Sequence, residues 1–456
     1  MPIKSVHITN YYHKASGGIS TSYNNLLDAA ARHKRSISLI VPGETEAVEE
    51  VNEYAKIYYV PANYSPILDK RYRLMMPWQY LLSGSIIRKI LLAEKPDFIE
   101  VTDKYTLSML GAMIRLGKFR QLGRPMLVHF SCERMDDNIS SFMTDGKIGR
   151  WLARSIIGKY TLPIFDFHIA NSPYTAEEFY KAVETQKNSH LSEKFLNWSW
   201  RVFKAPRIAL NERIYVCPRG VNSELFSPDR KSDAVKREMR ERAKIPENSI
   251  VLLYAGRISP EKNIGLLLDF MEILAKNVKN TKNDYRLVVA GDGPQSDWLK
   301  NETAKRVPNK IIQLGHLDKE LLADYYANAD VFVHPNPREP FGIAPLEAMA
   351  SGVPVVAPKA GGILSYATDE NIRLTEPKGE TFAAAIRETI ENPGQTAARV
   401  EKAMQTARSN TWEKSTDRLL ATYDKMFEDF QKRKEFFTDL EAVKDFDFVA
   451  EVLIPR

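Results

Sequence analysis

Cysteine is almost absent. The 456 residues hold only Cys132 and Cys217, far apart in sequence, so no disulfide scaffold is expected and a reducing cytoplasm fits. Long apolar runs are missing too. Nowhere do about 18 apolar residues follow one another, as a membrane-spanning helix requires. The opening MPIKSVHITN lacks an apolar core of signal-peptide length, so neither a membrane span nor export by that route is expected. No Gly-x-Gly-x-x-Gly follows the first strand-like segment, which argues against a nicotinamide dehydrogenase. There is no low-complexity tract and no repeat of solenoid period. Strong charge of either sign is lacking as well. The 64 basic and 58 acidic residues leave +6, which favours an anionic partner only where cations cluster and gives no reason to expect nucleic acid.

What is present reads as globular α/β protein. With 44% hydrophobic and 27% charged residues, the chain is long enough for two or three domains, each with its own interior. IKSVHI has strand period, GGISTSYNNLLDAAARH puts Ile19, Tyr23, Leu26, Leu27 and Ala30 on one helical face, and SISLIV returns to strand. PDFIEVTD, PMLVHFS, FDFHIANS and RIYVCP continue this βα alternation, the signature of a parallel sheet. A second series starts afresh with SIVLLYAG, YRLVVAG, KIIQLG, DVFVHP and VPVVAP. Between the two lies a polar, charged, Pro-flanked stretch that places a boundary near Val221. Three segments are expected: 1–220, 221–411, and a helical tail 412–456 whose Phe427, Phe430 and Phe437 pack back on the first domain.

In open α/β sheets ligands bind at the carboxyl ends of the strands. AGRISPEKN follows a strand and opens a helix, which sets Arg257 and Lys262 where a diphosphate is well held. The guanidinium offers two donors at once, the ammonium a point charge, and the helix terminus its N–H groups. In HPNPREPFGIAPLEAMASGVPVVAPKAGG, Glu339 and Glu347 stand on one strand-loop-helix unit with seven residues between them. Carboxylates accept from paired hydroxyls, so two of them suit two sugar rings joined by a diphosphate. The single Asp-x-Asp, Asp445 to Asp447, lies in the tail and reads as solvated helix, so no metal site is expected.

Together YAGRISPEKN, VVAGDGP, EPFGIAPLE and EAMASGVPVVAPKAGG resemble the retaining GT-B glycosyltransferases of family 4, over about residues 5–430 and most strongly in the second half. The resemblance implies two doubly wound Rossmann-like domains facing across a cleft, the first on the acceptor side and the second binding a nucleoside-diphosphate sugar. It implies that Glu347 holds the nucleotide ribose, Glu339 the donor hexose, and Arg257 with Lys262 the diphosphate. Main-chain groups of Phe341, Gly342 and Ile343 would face sugar and phosphate, and Gly315, His316 and Leu317 the base. Gly17 and Gly18 stand where the family has a glycine loop beneath the phosphates, although alone two adjacent glycines are as often only a turn. RGVNSELFSP carries Arg219 where the family commonly has Asn. The family usually has a His after the strand PMLVHFS, at the position of Ser131 or Cys132. This chain has His129 inside the strand instead, either supplying that function or serving as a core residue.

The expected activity is hexosyl transfer with retention, free of metal and cofactor, with Arg257, Lys262, Glu339 and His129 as catalytic candidates. Competing readings are a GT-B-like sugar-nucleotide epimerase or phosphorylase, and a catalytically silent nucleotide-sugar-binding protein. For the acceptor, a membrane lipid or lipid-linked glycan is expected ahead of a soluble sugar. Lys70, Arg71, Arg73, Arg88 and Lys89 interleave with Met75, Met76, Trp78 and Tyr80, and Trp198 and Trp200 neighbour Arg201 and Lys204. Such stretches can hold a cytoplasmic protein on the inner face of an anionic membrane. Donor base, hexose and oligomeric state are not legible.

Overall fold

The computed structural model describes residues 3–12, 17–65, 73–142, 146–276 and 283–438. The chain divides into two units, Met1–Cys217 with Ser415–Arg456, and Pro218–Lys414.

The first unit holds an eight-stranded sheet in the order Ile214–Val216, Phe167–Ala170, Met126–Ser131, Phe98–Val101, Ser5–Ile8, Ile37–Gly43, Ala55–Pro61, Ala47–Asn52. Every neighbouring pair is parallel except the last. Its central strands are buried along their whole length because helices cover both faces. One face packs Tyr23, Leu26, Leu27 and Ala30 of helix Gly18–His33 against Leu39, Val128 and Phe167. Leu420, Tyr423, Met426 and Phe430 of helix Trp412–Lys432 join the same core, with Phe437 beyond it. That helix also helps satisfy a buried charge. Glu100 accepts from His7 at 2.9 Å, from Tyr23 at 3.0 Å and from Tyr423. Burial alone would raise the Glu100 carboxyl, but His7 and the two hydroxyls hold it below the usual range.

The second unit holds a wholly parallel sheet in the order Ile311–Gly315, Asp284–Ala290, Ser249–Ala255, Val331–Val333, Val355–Pro358, Arg373–Thr375. Its helices start where local chemistry permits. Asp318 caps Lys319–Asn328 by accepting from Leu321 N at 2.8 Å. Strand ends approach closely at Gly291, where a Cβ would lie 1.9 Å from Gly256 O; only glycine fits there. Strand order reverses between Ser249–Ala255 and Val331–Val333, and such a reversal opens a crevice at the carboxyl ends.

Candidate active site

Both loops leaving that reversal carry the polar residues singled out above. After Ala255 the chain passes Gly256 and Arg257 into a short turn, Pro260–Lys262. Tyr254 Oη donates to Arg257 O at 2.8 Å, and Asn263 Nδ2 donates to Pro335 O at 3.0 Å, tying this turn to the loop after Val333. Across that tie Lys262 Nζ meets Glu339 Oε2 at 2.8 Å. Asn336 Nδ2 donates to the same oxygen at 3.0 Å, and Gly362 N donates to Glu339 O at 2.6 Å. Arg257 Nη1 lies 3.8 Å from Glu261 Oε1. The side chains of Arg257 and Lys262 keep 35% and 26% of their surface open, whereas Glu339 keeps 14%. The cations are therefore more open to solvent than the carboxylate, which is held in place.

Glu347 lies on helix Ile343–Ala350, whose first residue follows Gly342. Gly342 has φ +91, and a Cβ there would lie 2.6 Å from Ile363 Cγ2 and 2.9 Å from Tyr366 Oη. This left-handed turn lets the helix begin close behind Glu339. Tyr366 Oη also donates to Gly342 O, and Phe341 packs on the Tyr366 ring at 5.2 Å. Phe341 is 3% exposed, so its ring is part of the core. Glu347 Oε2 accepts from Tyr326 Oη at 3.1 Å.

The two carboxyls have opposite electrostatics. For Glu339, burial works to raise the pKa, but Lys262 and His334 with the Lys262 and Asn336 hydrogen bonds overcome it and draw it to about 2. For Glu347, burial dominates over the Tyr326 hydrogen bond and the more distant Lys319, and pushes the pKa up to about 7. His334 follows the strand Val331–Val333, and burial with Lys262 outweighs Glu339 to bring its pKa to about 4. At neutral pH it is an uncharged imidazole 3.7 Å from the Glu339 carboxylate.

Gly315 ends its strand with φ +73, His316 is exposed, and Leu317 is half-buried just before the helix that carries Tyr326. Arg257, Lys262, Glu339, Phe341, Gly342, Ile343, Glu347 and Gly315 to Leu317 all belong to the second unit. Gly17 and Gly18 belong to the first, exposed at the start of helix Gly18–His33, with Gly17 at φ +102.

His129 requires a correction. It is fully buried between Phe165, His168 and Phe179, with ring centroids 5.3 to 5.9 Å away. Burial and then Lys104 hold its pKa well below the usual histidine value. A neutral ring closed inside the core reaches no substrate, so it is not a catalytic group here. Ser131 is equally buried, its hydroxyl donating to Glu133 O at 2.9 Å. Cys132, half-buried, follows the strand end. Arg219 is buried rather than solvated.

The basic-aromatic stretch of the first unit is also corrected in part. Met75 and Tyr80 are core residues, Arg73 pairs with Glu44 at 2.7 Å, and Arg88 covers the Phe119 ring. Lys70, Arg71 and Asp445 to Asp447 lie outside the described residues. Trp200 is buried, whereas Trp78 and Trp198 are 59% and 62% exposed.

Sequence reasoning missed Tyr326, His334 and Asn336, which contact the two acids and contribute to their charge state. It also missed polar residues at the reversal in the first sheet. There Asn10 Nδ2 donates to Asp103 Oδ2 at 2.8 Å, and Lys104 pairs with Glu178 at 2.9 Å. The signal available was the position of Asn10, Asp103 and Lys104 just after buried strands. Among the described residues no cluster of three or more His, Cys, Asp or Glu is placed to hold a metal ion, and no helix is long and apolar enough to cross a membrane.

Known proteins resemble this chain in sequence and fold. Residues 235–407 match the family model described as Glycosyl transferases group 1. The chain is 27% identical over 432 residues to the GDP-mannose-dependent alpha-(1-6)-phosphatidylinositol dimannoside mannosyltransferase of Mycobacterium tuberculosis, covering 93% of this chain and 97% of that one. Among solved structures, sucrose-phosphate synthase from Thermosynechococcus elongatus superposes with a TM-score of 0.68 at 19% identity, covering 93% of this chain and 99% of that one. Anabaena HepE in complex with UDP does so with 0.62 at 17%, covering 93% and 100%. The second unit thus carries the Glycosyl transferases group 1 match, and the chain is a glycosyltransferase of GT-B fold.

Proposed function

We propose that the chain transfers a hexosyl group from a nucleoside-diphosphate sugar, with retention at the anomeric carbon, to a membrane lipid or lipid-linked glycan. The observation that carries the reading is the Lys262–Glu339 pair at 2.8 Å, set beside Arg257 at the strand-order reversal. As the bond between the anomeric carbon and the phosphate oxygen breaks, its electron pair leaves with the diphosphate. Arg257 and Lys262 face that growing charge, so they stabilise the transition state more than the ground state. Glu339 then holds hexose hydroxyls and Glu347 the ribose diol. The acceptor hydroxyl forms the new bond on the face the diphosphate leaves, and its proton passes to the departing phosphate oxygen. The cationic pair neutralises the diphosphate, so transfer should persist in excess chelator.

The lipid acceptor and GDP-mannose as first donor rest on the mycobacterial relative's name. The test incubates the chain with GDP-mannose and phosphatidylinositol mannoside in mixed micelles, in parallel with UDP- and ADP-sugars. A thermal-shift panel identifies the donor first, because a tight ligand raises the melting temperature by mass action. The expected result is a glycolipid whose new linkage keeps the donor's anomeric configuration by NMR. Inversion, or epimerised or phosphate-dependent products, would overturn the reading, and transfer to soluble sugars alone would overturn its acceptor.

A further inference from the structure

Helix His190–Val202 belongs to the first unit and buries Leu196, Ser199 and Trp200, with Trp200 Nε1 donating to Gly158 O at 2.8 Å. Its other large apolar side chains are outside. Leu191, Phe195, Trp198 and Val202 are 64%, 52%, 62% and 42% exposed. At the helical repeat their spacing of four, three and four residues puts all of them on one narrow stripe. Single exposed hydrophobes are ordinary, but a continuous row marks a site of interaction.

The charges beside the stripe have one sign. Lys194 and Arg201 are exposed and flank it by the same spacing, and Lys159 Nζ lies 6.0 Å from the Phe195 ring centroid. Glu193, the helix's one acid, falls away from the stripe. A second helix repeats the pattern. Gly146–Ile156 has no acid, exposes Ile148, Trp151 and Leu152, and carries exposed Lys147 and Arg150. Both helices pack on helix Pro173–Lys187.

We infer that Leu191, Phe195, Trp198 and Val202, with Lys194 and Arg201, form a docking surface for an anionic lipid bilayer. Tryptophan, phenylalanine and leucine settle at the boundary between headgroups and acyl chains, and cations beside them are drawn to an anionic leaflet. The competing occupant is a second copy of the chain, zipped along the same row. Charge argues against it, because two such rows would bring lysine and arginine together with no acid between them. Docking is a property of this surface and stands whether or not the acceptor is a lipid.

The test uses the full chain without nucleotide or acceptor, so the transfer reading and this one fail separately. Co-sedimentation is measured with phosphatidylcholine vesicles, with and without phosphatidylglycerol, at low and high salt. Binding should be roughly tenfold stronger to the anionic vesicles and weaken with salt. A Phe195→Ser, Trp198→Ser variant and a Lys194→Glu, Arg201→Glu variant should each lose roughly tenfold or more; these exposed changes should leave the melting temperature unaltered. Wild type that stays in solution with anionic vesicles, or variants that pellet as it does, would overturn the inference. So would a concentration-dependent dimer, seen by sedimentation velocity, that the Phe195→Ser, Trp198→Ser change abolishes while vesicle binding is absent.

Discussion

Glu339 and Glu347 sit on one strand-loop-helix unit with seven residues between them, yet one is held ionised and the other is poised near neutrality. The difference lies in their partners rather than their depth. Glu339 has a cation at 2.8 Å, an amide at 3.0 Å and a neutral imidazole nearby. Glu347 has one tyrosine hydroxyl and a more distant lysine. An ionised, fixed carboxylate can accept sugar hydroxyls at any working pH. One whose pKa lies near 7 accepts a ribose diol best after losing its proton, so its hold on nucleotide should depend on pH.

The strongest way to break this contrast is to remove the cation. Lys262→Ala leaves Glu339 without its ion pair and the leaving group without a point charge, so the catalytic constant should fall by roughly 10²-fold or more. Arg257→Ala should fall comparably. Circular dichroism must first show an intact fold. Weak donor binding with normal turnover at saturation would reduce both cations to positioning groups.

Stability against pH sharpens the contrast because the two acids act with opposite sign. The Glu339 pKa is depressed on folding, so its contribution is present above the unfolded value near 4.5 and is lost as pH falls toward 2. The Glu347 pKa is raised, so its contribution is present below 4.5 and is lost as pH rises through 7. Melting curves from pH 3 to 8 should therefore lose part of their decline between pH 5 and 7.5 in Glu347→Gln. In Glu339→Gln they should lose part of their acid decline instead. Identical changes in the two profiles would show that the environments do not differ as described.

The smallest effect expected is that of Tyr326→Phe. Removing the hydroxyl that favours ionised Glu347 should weaken nucleotide binding by about 1 kcal/mol at pH 7 and move the midpoint of its pH dependence upward. Glu347→Gln is the control, since it removes the site's titration while the nucleotide's own phosphates still titrate. A Tyr326→Phe profile that superposes on wild type would break the link between the hydroxyl and Glu347.

How far sequence alone carried this account varied with the kind of signal. SIVLLYAG, YRLVVAG, KIIQLG, DVFVHP and VPVVAP all form strands of one parallel sheet, because continuous β-branched runs between helices admit little else. The antiparallel edge strand Ala47–Asn52 was not legible, for its sequence AVEEVN is largely exposed and its apolar alternation is weak. His129 misled for the opposite reason. Its strand is buried on both faces, so alternation could not separate a ligand-facing side from a core side. Glu339, Glu347, Arg257 and Lys262 were singled out by their places at strand ends and helix starts, but Tyr326, His334 and Asn336 beside the acids were not. Tyr326 and His334 reach the acids through tertiary contacts that no local pattern encodes, and buried His or Tyr in an apolar run otherwise reads as core.

The division of labour between the two acids is tested most directly by calorimetry with GDP and UDP on Glu339→Gln and Glu347→Gln. The account predicts that Glu347→Gln weakens binding of the bare nucleoside diphosphate by about 1 to 3 kcal/mol, as for loss of a charged hydrogen-bond partner. Glu339→Gln should leave that binding unchanged while lowering transfer from the sugar nucleotide. Equal losses of bare-nucleotide affinity in the two variants would contradict it.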